Sequence, residues 1–505
     1  MNIYTTEQLR ALRRAAIEEE AVSSSELIHR FADGVAAEIL SQCPTPRQTV
    51  VYAGQGGNGA TALLVARHMI EAGYQVHVVL FNFNGNSLSR DCNAAYRELL
   101  STDIPFGLTE IRDRADLPGH RPDMLIIDGI FGLGLNNPLS GGYKSLARNI
   151  SECGAMVVSI DVPSGLFPDW NSRVISRDVI HATLTLAPQF PHLSFFLSDN
   201  EELVGRWKTI DLGISERGVD PSTLKYFLVK REDVKAVLRH RDLFSSKADY
   251  GNALLIAGSY GMMGAAVMAA RAAIRSGVGK LTVHSARFGF TVMQSSVPEA
   301  LFSPDPDDIL VSDMTLRFAY NAIGVGPGLG LNDATRGAFD TLVKTVKRPM
   351  VIDADALNIL ARNPMLLDHL YPGTVLTPHA GEFDRLFGAQ ASAESRLLTA
   401  IEMARKYQII IVLKGHYTST VRPDGKVFFN STGSPAMATA GSGDALTGII
   451  TSLMAQGYKP EAAAVAGVYI HGLAGDIAAE TQGEYGVSGL DIAEAAGRAI
   501  KSIMS

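Results

Sequence analysis

Residues 49–81 read TVVYAGQGGNGATALLVARHMIEAGYQVHVVLF. A β-branched apolar run at 49–53 breaks at a glycine-rich turn, Gly54-Gln55-Gly56-Gly57-Asn58-Gly59-Ala60. A helical pattern then runs from Thr61 to Glu71, and a second apolar run follows at 75–81. Strands that are apolar without alternation are buried on both faces, and a helix between two of them marks a parallel sheet.

The pattern continues outward on both sides. Apolar runs recur at 124–128 (MLIID), 155–161 (AMVVSID), 182–187 (ATLTLA) and 207–211 (WKTID), with helix-length segments at 60–72 and 87–99. The first half therefore reads as α/β, a doubly wound, Rossmann-like domain. A charged stretch at 230–241 and a polar turn at 245–249 interrupt the pattern. It restarts at 253–257 (ALLIA), 280–284 (KLTVH), 322–325 (AIGV), 350–353 (MVID), 374–377 (TVLT) and 409–413 (IIIVL). Two α/β domains are expected, residues 1–225 and 226–505, with no shared motif that would make them a repeat.

Composition narrows the classes. The 505 residues are 46% hydrophobic and 19% charged, which excludes disorder, collagen-like repeats and a disulfide scaffold. A net charge of −7 without a concentrated Lys/Arg stripe leaves no footprint for nucleic acid. Cys43, Cys92 and Cys153 are odd in number and form no CxxC, so they read as small buried hydrophobes in a reducing cytoplasm. The opening MNIYTTEQLRALRRAAIEEE suggests an amphipathic helix behind a Thr cap rather than a signal peptide. No apolar run is expected to cross a bilayer.

The sharpest chemical motif is Gly441-Ser442-Gly443-Asp444-Ala445-Leu446-Thr447-Gly448, opening a helical pattern. Glycines let backbone amides approach a ligand, and a helix start favours an anion such as phosphate. Asp444 there suits a base for a hydroxyl attacking phosphorus, or else a simple helix cap. Four further strand exits carry polar groups: Gly324-Val325-Gly326-Pro327-Gly328-Leu329-Gly330, Asp353-Ala354-Asp355-Ala356-Leu357, Thr377-Pro378-His379-Ala380-Gly381-Glu382 and Leu413-Lys414-Gly415-His416. Open α/β sheets bind ligands at these carboxyl ends, so a phosphate-handling pocket is expected. In the first half, Ile127-Asp128-Gly129 and Asp161-Val162-Pro163-Ser164 place acids at two more strand exits, to bind a hard cation or to cap loops. The acid expected about 20 residues after a dinucleotide-binding loop is missing, which disfavours an ordinary dehydrogenase.

Together the second-half motifs resemble the ribokinase-like superfamily, and within it the ADP/ATP-dependent NAD(P)H-hydrate dehydratases, from about residue 226 onward. The resemblance implies that Asp444 is the base for the hydrate hydroxyl and that Gly441, Ser442 and Gly443 hold the transferring phosphoryl group. It also implies that Lys414, Gly415, His416, Tyr417, Thr418 and Gly443 meet the adenine nucleotide. Ala265, Gly328, His379 and Asp444 face the hydrate, although His379 also suits a loop brace. ADP with Mg²⁺ is the implied phosphoryl donor, ATP being the other option, with Asp353 and Asp355 serving Mg²⁺ through water or capping a helix. In the first half, Asp128-Gly129-Ile130-Phe131-Gly132-Leu133-Gly134 and Asp161-Val162-Pro163-Ser164-Gly165-Leu166 resemble the NAD(P)H-hydrate epimerase domain. That implies a K⁺ site at Asn58, Asp128 and Ser164, with Asp161 at the reacting centre. Hydrate contacts are implied at Gly57, Asn58, Gly59, Ala60 and Thr61, and at Gly132, Leu133, Gly134, Leu135, Asn136, Asn137 and Pro138. The first loop departs from the family pattern: Gly57, Ala60 and Thr61 stand where that pattern has Asn, Gly and Asp. Either a weakened epimerase or a domain kept for assembly fits that departure. The expected partners are NAD(P)H hydrates, ADP or ATP, and further copies of the chain in a homo-oligomer, with no nucleic acid and no membrane. A ribokinase-like kinase for a vitamin precursor, carrying a non-catalytic first domain, is the alternative.

Overall fold

The computed structural model describes residues 1–19, 22–85, 87–113 and 117–505. The chain forms two compact units, Asn2–Leu224 and Lys225–Ser505.

The first unit is built on β1 (Gln48–Ala53), α1 (Gly57–Glu71), β2 (Gln75–Phe81), β3 (Gly107–Ile111), β4 (Leu125–Gly129), β5 (Met156–Ile160), β6 (Leu184–Pro188) and β7 (Arg206–Ile210). All pairings are parallel, in the order β3-β2-β1-β4-β5-β6-β7. Both faces are covered, as the unbroken apolar runs require. Val51, Val78, Leu80 and Ile127 pack with α1 on one side, while Val50, Tyr52, Val79 and Ile126 pack against the helix Gly142–Glu152 on the other. Strand order reverses between β1 and β4, opening a crevice beyond their carboxyl ends.

Two features of this unit differ from the sequence expectation. β3 was not anticipated, because as an edge strand it is mostly half-buried and lacks a continuous apolar run. Helix α1 starts at Gly57 rather than Thr61, so part of the glycine loop is already the first helical turn. The N-terminal helix runs Thr6–Glu19, and Thr5 Oγ1 accepts the Gln8 amide at 3.3 Å as its cap.

The second unit contains β8 (Tyr226–Leu228), β9 (Asn252–Ile256), α2 (Met263–Arg275), β10 (Lys280–Ser285), β11 (Leu301–Pro304), β12 (Ala322–Val325), β13 (Met350–Ile352) and α3 (Ala354–Arg362). It continues through β14 (Val375–Leu376), α4 (Ala380–Phe387), β15 (Ile410–Leu413), β16 (Ser419–Val421), β17 (Val427–Phe429), α5 (Ser442–Ala455), α6 (Pro460–Gln482) and α7 (Gly489–Met504). The sheet runs β8-β17-β16-β15-β14-β13-β12-β9-β10-β11, parallel except for the β15-β16-β17 meander. Its switch point lies between β9 and β12. Helices α2 and α5 cross at backbone contact: a Cβ on Gly448 would overlap the Ala269 carbonyl. Helix α6 is long and apolar enough by length and composition to cross a membrane, yet Ala463, Ala464, Ile470, Ala474 and Ala478 on it lie in the core of this unit.

Candidate active sites

In the second unit the functional loops leave the sheet at its switch point. Gly326, with φ 135°, sits where any Cβ would overlap the Asp353 carbonyl, so the β12 and β13 exits touch through backbone. Gly328, with φ 63°, lies against Ala265: a Cβ would come within 3.1 Å of Ala265 Cβ. Ser259 Oγ donates to the Gly328 carbonyl at 2.8 Å and ties the β9 exit to the same loop. A parallel bridge between His379 and Lys414 joins the β14 and β15 exits.

Lys414 organises the charge. Its Nζ donates to Asp353 Oδ1 at 2.9 Å and lies 3.6 Å from Glu382 Oε2. Thr447 Oγ1, one turn into α5, donates to Asp353 Oδ2 at 2.7 Å. Burial works to lower the Lys414 ammonium, and the Asp353 and Glu382 carboxylates more than reverse that. Asp444 stands in the first turn of α5. Burial, reinforced by the Asp353 charge and opposed by Lys414, pushes its carboxyl up to about 7. A carboxyl poised near neutrality suits proton acceptance from a hydroxyl.

The turn before Asp444 is shaped for an incoming anion. Gly441 is left-handed at φ 88°, and a Cβ there would overlap Met268 Sδ. At Gly443 a Cβ would lie 3.4 Å from Lys414 Nζ, so a bare backbone stands beside the ammonium. Beneath the turn, His471 Nε2 lies 2.8 Å from the Ser442 carbonyl. Burial pulls that imidazole down to about 4, so it is neutral and its Nε2–H donates.

The first unit has a different interior. A cavity of about 520 Å³ opens beyond β1 and β4, lined by apolar side chains such as Leu12, Phe31, Phe131 and Phe190, with Asn58, Thr61 and Asp161 among the few polar groups. Its glycines serve close packing: a Cβ on Gly54 would overlap the Ile130 carbonyl, and one on Gly59 the Gly54 carbonyl. Asp128 is fully buried and accepts four hydrogen bonds. These come from the Ile130 amide (3.3 Å), Ser159 Oγ (2.9 Å), the Ser164 amide (2.8 Å) and Ser164 Oγ (2.6 Å). Burial nonetheless pushes its carboxyl above the ordinary range. Asn58 Nδ2 donates to the carbonyls of Phe131 (2.8 Å) and Ile160 (3.1 Å), and Ser164 Oγ lies 3.5 Å from the same Phe131 carbonyl. The oxygens of Asp128, Ser164 and the Phe131 and Ile160 carbonyls gather here, a set of atoms whose chemistry fits a hard cation.

Asp161 follows β5 with φ 71°, a left-handed conformation that is uncommon for a residue with a side chain. Its Oδ2 accepts the Leu133 amide at 2.9 Å, and its Oδ1 lies 2.7 Å from His192 Nε2.

Two family models match the chain: NAD(P)H-hydrate dehydratase over residues 253–498 and YjeF-related protein N-terminus over residues 24–194. The bifunctional NAD(P)H-hydrate repair enzyme of Moorella thermoacetica is 33% identical over 503 residues, covering 96% of this chain and 94% of that protein. The chain belongs to this bifunctional repair-enzyme family. The relative of the same name from Thermofilum pendens is 30% identical over 517 residues, covering 100% of this chain and 97% of its own length. Among solved structures, the ADP/ATP-dependent NAD(P)H-hydrate dehydratase of Bacillus subtilis, co-crystallized with ATP/Mg²⁺, is 33% identical. It covers 55% of this chain and 98% of its own, with a TM-score of 0.49.

Against the repair-enzyme expectation, the second unit brings Lys414, Gly443 and Asp444 together around Asp353, and sets Ala265 beside Gly328. His379 caps α4: its Nδ1 accepts the amides of Gly381 (3.0 Å) and Glu382 (3.3 Å), which commits that nitrogen to the loop. Thr418 Oγ1 bonds both backbone groups of Gly415 and closes the turn that carries His416 and Tyr417. Asp355 accepts the Gly330 amide at 2.8 Å, bracing the neighbouring exit. In the first unit Gly57, Asn58, Thr61, Gly132, Leu133, Gly134 and Asp161 line the cavity. Gly59, Ala60, Leu135, Asn136, Asn137 and Pro138 are not in its wall, nor are Asp128 and Ser164, which lie behind Phe131. The sequence reading missed His192 and the cage around Lys414. His192 was findable, since Gln189-Phe190-Pro191-His192 leaves a strand just as the other candidate motifs do.

Proposed function

We propose that the chain repairs hydrated nicotinamide dinucleotides by two activities, one in each unit. The second unit dehydrates the S form of NAD(P)H hydrate at the expense of ADP. The carboxylate of Asp444 takes the proton of the C6 hydroxyl as that oxygen attacks the terminal phosphorus, and the bond from phosphorus to the AMP oxygen breaks. The amides at Gly441–Gly443 and the Lys414 ammonium receive the charge that develops on the phosphoryl oxygens. The C6–O bond then breaks with its electron pair leaving on phosphate, a ring proton is lost from C5, and the dihydronicotinamide is restored. The observation that carries this reading is the Asp444 carboxyl, pushed up to about 7 at a glycine-lined helix start. Mg²⁺ would arrive with the nucleotide. Among the described residues no cluster of three His, Cys, Asp or Glu side chains is arranged to hold a metal. Asp353 is engaged at both oxygens, so Asp355, bonded through Oδ2 alone, is the better group for a metal-bound water.

The first unit interconverts the R and S hydrates in its cavity, so that the second unit can consume both. Asp161 is the carboxylate at its reacting centre: it takes the proton of the C6 hydroxyl as that oxygen becomes a carbonyl and the C6–N1 bond breaks with its electron pair on nitrogen, and it returns the proton as N1 adds to the opposite face of the carbonyl. Asn58, Asp128 and Ser164 would hold K⁺, which would supply a fixed positive charge to that site. A walled cavity with a fixed carboxylate supports a working epimerase over a domain kept for assembly. The chain is expected to act in the cytoplasm.

The test is incubation of the protein with S hydrate and either ADP or ATP, following the near-ultraviolet absorbance of restored dihydronicotinamide. Recovery with at least one nucleotide is expected. No recovery with either one removes the reading.

A further inference from the structure

His192 stands at the exit of β6, opening the turn Leu193–Phe196, and is only 1% exposed. Its Nε2 lies 2.7 Å from Asp161 Oδ1, and its ring meets Phe195 edge-on, with centroids 5.2 Å apart. Its Nδ1 is buried without a hydrogen-bond partner. Which nitrogen carries the proton follows from these contacts. A carboxylate only accepts, so Nε2 carries the hydrogen that reaches Asp161. The ring is therefore a donor to Asp161 through Nε2.

A packing role alone leaves this arrangement unexplained. An apolar side chain would fill the same space with no orphaned nitrogen. Asp161, in turn, is held in a left-handed backbone conformation and gripped from two strand exits, by the Leu133 amide on Oδ2 and by His192 on Oδ1. Gly132 admits the carboxylate: a Cβ there would overlap Asp161 Oδ2. The Leu133 amide belongs to the cavity wall, whereas His192 stands behind the carboxylate and outside the lining.

We propose that His192 is the positioning residue of the first site, an imidazole donor that fixes the orientation of the Asp161 carboxylate toward the cavity. This rests on the reading of Asp161 as the reacting carboxylate. Misplacing a reacting group by about 1 Å costs on the order of a hundredfold in rate. The substrate does not touch His192, so the loss falls on kcat rather than on KM.

The test uses the full chain and measures conversion of R hydrate to S hydrate for His192→Leu, His192→Gln and Asp161→Ala. Circular dichroism and thermal unfolding of each variant serve as the control for folding, and dehydration of S hydrate as the control for the second unit. His192→Leu is expected to lower the epimerisation kcat by about tenfold to a hundredfold with KM within about twofold. His192→Gln, whose amide can still donate to Oδ1, is expected to recover most of that loss. An unchanged kcat in His192→Leu overturns the proposal. So does a His192→Gln variant that is folded and as slow as His192→Leu, since the donor would then be irrelevant. If Asp161→Ala itself epimerises at the full rate, the reading of Asp161 fails first, which separates the two outcomes.

Discussion

Both units place their candidate sites beyond the carboxyl ends of parallel strands at a switch in strand order, and they fill that position in opposite ways. The second unit crowds charge there: Asp353, Glu382 and Asp444 surround one ammonium, Lys414. The first unit surrounds one accessible carboxylate, Asp161, with an apolar cavity and sinks its other acid, Asp128, behind the wall. A phosphoryl group arriving with several negative charges needs amides and an ammonium that have already been desolvated. A reaction that only inverts one carbon needs a single group held still and water kept out. The topology fixes where chemistry happens, and the side chains between the glycines decide which chemistry it is.

The contrast is most exposed at Asp444. Asp444→Asn keeps the shape of the helix start but cannot accept the hydroxyl proton. Recovery of dihydronicotinamide from S hydrate should fall by about 10³-fold, while calorimetry should find ADP binding unchanged and epimerisation intact. Retained turnover would assign the base to another group. The raised carboxyl also sets a pH dependence. Because the base must be ionised, kcat/KM for dehydration should fall about tenfold per unit below about pH 7. The linkage has the matching sign. A carboxyl raised in the folded state stabilises the fold below its unfolded pKa, and that contribution is lost as pH rises through about 7. Asp444→Asn should therefore melt above the parent protein at alkaline pH, with the gap closing toward about pH 4. A gap independent of pH would mean that Asp444 is not desolvated as described.

How far these sites are legible in the sequence depends on the range of the interactions. The central strands show themselves because burial on both faces leaves an unbroken apolar run; Gln75–Phe81 and Ala322–Val325 have the bounds that the runs predict. The edge and hairpin strands Gly107–Ile111, Leu301–Pro304, Ser419–Val421 and Val427–Phe429 carry no such run, since one side is half-solvated or the strand is three residues long. The motifs at the strand exits are local and could be read. The Lys414 cage is not local: its partners Asp353 and Glu382 come from other exits, and nothing in Leu413-Lys414-Gly415 marks the lysine as ion-paired. The four donors of Asp128 show the same limit, since a carboxylate beside a cation and one that staples a loop look identical in sequence.

A smaller effect is expected at Asp161, because a single carboxylate in a cavity adds to an inversion that also proceeds in solution. Asp161→Ala should lower the enzymatic conversion of R to S hydrate by about 10²-fold and leave dehydration of S hydrate as it was. An unchanged rate would reject Asp161 as the reacting group, and the two sites would no longer share a carboxylate mechanism.

The smallest effect probes the departure in the first glycine loop. Gly57 stands where the resembling family carries Asn, at the first residue of α1. A Cβ added there has room, because its nearest neighbours are the Arg13 guanidinium nitrogens at 3.8 Å. The preceding Gly56 is extended and already caps the helix without a side chain, so Gly57→Asn disturbs neither the cap nor the cavity floor. The added amide would bring a donor and an acceptor to a part of the lining that already carries Arg13, Gln55 and Asn58. We expect KM for R hydrate to fall about threefold, equivalent to roughly 0.6 kcal/mol of added binding from one partly exposed hydrogen bond, with kcat and dehydration unchanged. A fall in kcat instead would show that the glycine is needed for close approach of the substrate, and that the loop is a specialised form of the family pattern rather than a weakened one.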